Sequence, residues 1–163
     1  MAEQNELLVR VDEIRSSYHE FISSVEAVDE QSKDHSKGFL GRLFGNYVSN
    51  PRNSLCDQFF GKVKGQIEPL AAAVEQAEPE IRMQVSEALA ELMLQPRPAK
   101  SNQAQDLMYR AMVSQFMPFV HYLSAQSLEH YAQQLRTAYR SIDLLPVEKT
   151  LLQALDKETK NRC

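Results

Sequence analysis

The chain has 163 residues, of which 43% are hydrophobic and 25% charged, with a formal net charge of −4. A chain of that length falls in the usual one-domain range of about 100–200 residues and buries roughly 70% of its unfolded surface, so a core can form without disulfide or metal staples. The acidic balance disfavours a general nucleic-acid binder, two cysteines are too few for a disulfide scaffold, and no apolar run approaches the ~18–20 residues that span a bilayer.

The first 25 residues carry Glu3, Glu6, Asp12, Glu13 and Glu20 and lack a basic start followed by an apolar stretch. That pattern argues against a secretory signal and places the expectation in the reducing cytoplasm. Leu7, Val11, Ile14, Tyr18, Phe21, Val25 and Val28 follow one another at spacings of four and three, the seam of a long helix. Leu8 and Ile22 widen it toward the stripe of a bundle helix. Two aromatics in the seam favour a core-facing helix over a regular two-stranded coil, which prefers branched aliphatics. Self-association through the seam is the alternative. Residues 29–37 hold no apolar side chain and predict an exposed loop.

Charge is unevenly spread. Residues 1–32 hold two Arg against eight acids, a net of −6, whereas residues 33–65 hold six Lys or Arg against Asp34 and Asp57, a net of +4. Residues 29–53 read as an exposed, basic, glycine-bearing connector. Within it Phe39, Leu40, Leu43, Phe44, Tyr47 and Val48 keep a three–four spacing that suits a short amphipathic helix, weakened by Gly41 and Gly45. Asn50-Pro51-Arg52-Asn53 reads as a turn.

From about Ser54, a helix carries Leu55, Phe59, Val63, Ile67, Leu70 and Val74 on one face, with Pro69 expected to interrupt or kink it. Gly61-x-x-x-Gly65 would permit close approach by another helix. Pro79 suits a first helical position, and Ile81, Val85, Ala88, Leu89, Leu92 and Met93 make the next apolar face. Pro96 to Lys100 is a rigid connector, after which Ser101 or Asn102 can cap a helix. Leu107 to Leu123 form a further stripe that Pro118 should kink or divide. Leu128 to Ile142 form another, starting near Ser124 or Ser127. A last short helix follows Pro146, and residues 157–163 read as a polar tail. With no convincing period-two alternation, the fold class is all-α: a single-domain helical bundle of five to seven helices with prolines at the joints.

The chain lacks the patterns that carry chemistry. No His has Glu three residues before it, His-Glu-x-x-His is absent, and no Cys pair has zinc spacing, so no metal ligand set or cofactor is expected. There is no Gly-x-Ser-x-Gly elbow or phosphate-cradling loop. Cys56, near Arg52 and Lys62, is either an activated thiol or a small buried hydrophobe. The expected function is a non-enzymatic protein–protein interaction module, of the adaptor, chaperone, inhibitor, immunity or regulatory kind, that self-associates. Phe39, Leu40, Arg42, Leu43, Phe44 and Tyr47 are its candidate partner-binding residues, because aromatic and Arg side chains dominate binding energy at interfaces. Two alternatives stand: a peripheral membrane binder using residues 38–48, and an enzyme whose site follows no familiar pattern.

Overall fold

The computed structural model describes residues 2–35, 51–97, 99–101, 103–138 and 143–162. They form six α-helices, α1 (Ala2–His35), α2 (Pro51–Gln76), α3 (Pro79–Met93), α4 (Gln103–Phe116), α5 (Ala125–Ala138) and α6 (Pro146–Asn161), with one 3-10 helix, Met117–Tyr122, between α4 and α5. No strand is present among the described residues, and the all-α reading holds.

The heptad seam of α1 is consumed inside the chain. Leu7, Val11, Ile14, Phe21 and Val25 are buried and Tyr18 is half-buried. They meet Cys56, Phe59, Val63, Ile67, Leu70 and Val74 of α2, which repeat at the same three–four spacing. The two helices run antiparallel: Ser17 reaches Gln66, Phe21 stacks on Phe59 with ring centroids 4.5 Å apart, and Glu20 pairs with Lys62 at 2.6 Å. A dimer through this seam would require opening the hairpin first.

Helix α1 also packs on α3, α2 on α4, and α6 on α5, the 3-10 helix and α4. Between these layers Phe116 and Phe119 have no solvent exposure, and Leu89, Leu123, Leu128 and Leu155 complete the same core. Pro118 divides the stripe as expected: its missing N–H cannot bond Ser114, and α4 gives way to the tighter 3-10 helix. Ser124 caps α5, its hydroxyl accepting the backbone N–H of Ser127 at 3.1 Å.

Four local readings are corrected. The loop expected from residue 29 is helix as far as His35. A polar helical turn needs good helix formers rather than apolar residues, and Glu30, Gln31 and Lys33 supply them. Of the turn expected at 50–53, residues 51–53 are instead the first turn of α2, with Pro51 at the first helical position, where its lack of an N–H costs nothing, and Asn50 lies outside the described residues. Helix α2 runs unbroken through Pro69. Pro69 and Gly65, the residue whose carbonyl loses its donor, both lie on the exposed face, where water can take the bond. Residues 157–161, read as a polar tail, form the last turns of α6. Beyond them Arg162 donates to the carbonyls of Leu123 at 2.6 Å and His121 at 2.8 Å.

Candidate functional site

Phe39, Leu40, Arg42, Leu43, Phe44 and Tyr47 lie outside the described residues. What the structure places is their frame. Because α1 and α2 are antiparallel, His35 and Pro51 end up at the same end of the hairpin. The basic stretch of sequence therefore leaves and returns to one end of the two longest helices.

Along the flank of that hairpin runs a trough in two adjoining halves, crossed between its walls by the Glu20–Lys62 ion pair. The half nearer the Pro51 end, about 230 Å3, has Phe21 and Phe59 at its base and Leu55, Ser24 and Gln58 on its walls. The other half, about 370 Å3, is lined by Val9, Asp12, Glu13, Ser16 and Gln66, and the two share Ser17, Glu20 and Lys62. Helical periodicity builds the walls: residues 9, 13, 16, 20 and 24 recur along one edge of α1, and 58, 62 and 66 along the facing edge of α2. Val9 is 56% exposed, the most exposed of the large hydrophobics. Sequence reading did not single out the trough. Its residues are the polar neighbours of the seam, and only the pairing of α1 with α2 brings the two edges together.

Titratable side chains gather in two places that serve the fold, one buried and one half-buried. Glu148 has no solvent exposure. It accepts hydrogen bonds from the Tyr109 hydroxyl at 2.8 Å and the Leu145 backbone N–H at 2.7 Å, and Arg97 lies 3.2 Å from the same carboxylate. Glu87 of α3 accepts the Ser124 backbone N–H at 2.9 Å and the Ser127 hydroxyl, placing a carboxylate at the positive end of α5. Beside it, burial and the charges of Glu87 and Glu91 push the Tyr131 hydroxyl up to about 12.

His19, His121 and His130 are exposed, and none sits in a buried cleft beside a carboxylate. Cys56 is a free, buried thiol, and burial together with the Asp57 charge raises its pKa, which disfavours the reactive thiolate. No group of three or more His, Cys, Asp or Glu among the described residues could hold a metal ion. No described helix is long and apolar enough to cross a membrane. Gly61 and Gly65 stand on the outer face of α2, where an added Cβ would meet nothing within 4 Å. Among the described residues, the motif therefore serves no helix crossing.

Comparison with protein-family models, curated proteins and solved structures found no match.

Proposed function

We propose that the protein is a non-enzymatic protein–protein interaction module of the cytoplasm, with recognition centred on the α1–α2 hairpin and the basic segment it carries. The observation behind this reading is the hairpin itself. Its two long helices bring both ends of a segment that carries Phe39, Leu40, Arg42, Leu43, Phe44 and Tyr47 to one end of the hairpin, next to a trough with an aromatic base. Aromatic and Arg side chains on a connecting segment, held by a rigid scaffold, match the composition and placement of interaction hot spots. Self-association is part of the same proposal. With the seam buried, it falls to another surface, and the outer face of α2 at Gly61 and Gly65 meets no packing from the described residues.

The test is affinity capture with the full chain, alongside its Phe44→Ala and Arg42→Glu variants. Both variants should keep the parent's thermal melt and lose the captured protein. Unfolding by Phe44→Ala would assign that side chain to the core. Undiminished capture by both variants would move recognition to another surface. Salt-sensitive sedimentation with anionic vesicles, abolished by Arg42→Glu, would make a lipid surface the target instead.

A further inference from the structure

We infer that the α1–α2 trough is the docking site for a cationic amphipathic segment of a partner protein: a helix or extended stretch whose Lys or Arg side chains flank one bulky apolar residue. The inference deepens the interaction-module reading and rests on it.

Charge selects the occupant. The α1 wall carries Asp12, Glu13 and Glu20, whereas the facing α2 wall carries a single cation, Lys62, between neutral Gln58 and Gln66. Lys62 is taken by Glu20 at 2.6 Å, and Asp12 is met by Arg15 at 2.8 Å. The Glu13 carboxylate, exposed at the edge of the trough, has no partner among the described residues. With Arg15 at its edge, the trough holds three carboxylates against two cations, and the unpaired Glu13 leaves a net charge of −1. An anionic lipid surface or a nucleic-acid backbone would be repelled by that wall, and a Lys- or Arg-bearing segment would be drawn to it.

Shape selects the rest. The half with Phe21 and Phe59 at its base is about 230 Å3, room for one large side chain laid against Leu55, while Val9 offers a second apolar contact at the other end. From Val9 to Ser24 the trough follows fifteen positions of α1, about 22 Å at 1.5 Å per residue. That length takes about four turns of a docked helix or about seven residues of extended chain.

The probe is a fluorescein-labelled Lys/Leu amphipathic peptide with one central Phe, about as long as the trough, titrated against the full chain by anisotropy. Its Glu-for-Lys counterpart is titrated in parallel. The chain should bind the cationic peptide and not the anionic one. The double variant Glu13→Lys/Glu20→Lys should raise the cationic peptide's Kd by at least about tenfold and admit the anionic peptide. A control, Glu75→Lys/Glu129→Lys, makes the same change in net charge at exposed positions outside the trough and should leave Kd within about twofold. Should Glu13→Lys/Glu20→Lys lose the parent's melt, Gln58→Trp blocks the apolar half sterically from an exposed wall position and should also weaken binding.

Equal losses in the two double variants would reduce the effect to net charge and overturn the inference. So would a self-dimer that Glu13→Lys/Glu20→Lys dissolves, because a second copy would then cover the trough. If the peptide fails to bind while partner capture survives Glu13→Lys/Glu20→Lys, the trough assignment falls and the interaction-module reading stands.

Discussion

Glu148 shows how much one side chain can join. It lies three residues into α6, yet its carboxylate ties the start of that helix to Tyr109 of α4 and to Arg97 in the connector after α3, and Arg97 in turn donates to the Asp143 carbonyl at 3.0 Å. The bond to the Leu145 N–H is the Glu half of a capping box; with Leu in place of Ser or Thr before the helix, neither it nor Tyr109, 39 residues away, was legible in the sequence. Removing the buried carboxylate takes an acceptor from the buried Tyr109 hydroxyl and a counter-charge from the Arg97 guanidinium. Glu148→Ala should therefore cost about 3–5 kcal/mol, and Tyr109→Phe about 1–2 kcal/mol, both measured by urea denaturation. Tyr131 gives a second test at this scale. Its folded-state pKa of about 12 lies above the unfolded value near 10. The folded state therefore holds the proton more tightly, and the stability this contributes is present below pH 10 and lost as pH rises through about 12. Denaturation midpoints measured between pH 9 and 12 should fall more steeply for the parent than for Tyr131→Phe, and parallel curves would refute the assignment.

At the scale of elements, periodicity carried most of the information. The seam of α1, the stripe of α2 and the divided run around Pro118 were legible because a three–four spacing of apolar residues fixes both helix and buried face. The corrected boundaries, at His35 and Pro51, fall where that signal is silent: a polar helical turn carries no apolar marker, and a proline at a first position looks like a proline in a turn. The glycines of α2 were legible as a pair but not in meaning. Their spacing puts them on one face, and only the packing shows that this face is the outer one. There they cost helix stability with no packing return from the described residues. Gly61→Ala and Gly65→Ala should each stabilise the chain by about 0.5–1 kcal/mol, read as a raised urea midpoint with an unchanged slope. A loss of stability would mean that the outer face packs against something.

At the scale of the whole molecule, the sequence's segregation of charge becomes a spatial relation. The acidic first fifth forms one wall of the hairpin, and the basic stretch is attached at the end of that same hairpin. Pairing of elements is what sequence alone could not supply, since nothing in the stripe of α1 names α2 rather than α4 as its partner. The pairing also fixes the structural role of Phe21. Phe21 is 4% exposed and stacks on Phe59 at 4.5 Å, with Tyr18 packing edge-on to the same ring at 6.5 Å. Truncating it removes a side chain from a contact that holds together the two longest helices, and the stiff neighbours on both sides can close the cavity only in part. Phe21→Ala should cost roughly 3–5 kcal/mol, visible as a lowered thermal midpoint and urea midpoint. Phe44 belongs to the proposed recognition segment, so Phe44→Ala should shift the same midpoints by less than about 0.5 kcal/mol. The two variants remove the same atoms from one chain, and their difference measures burial directly. A loss of under about 1 kcal/mol for Phe21→Ala would show that the hairpin is not packed as described, whereas comparable losses for both would place Phe44 in the core and remove it from recognition.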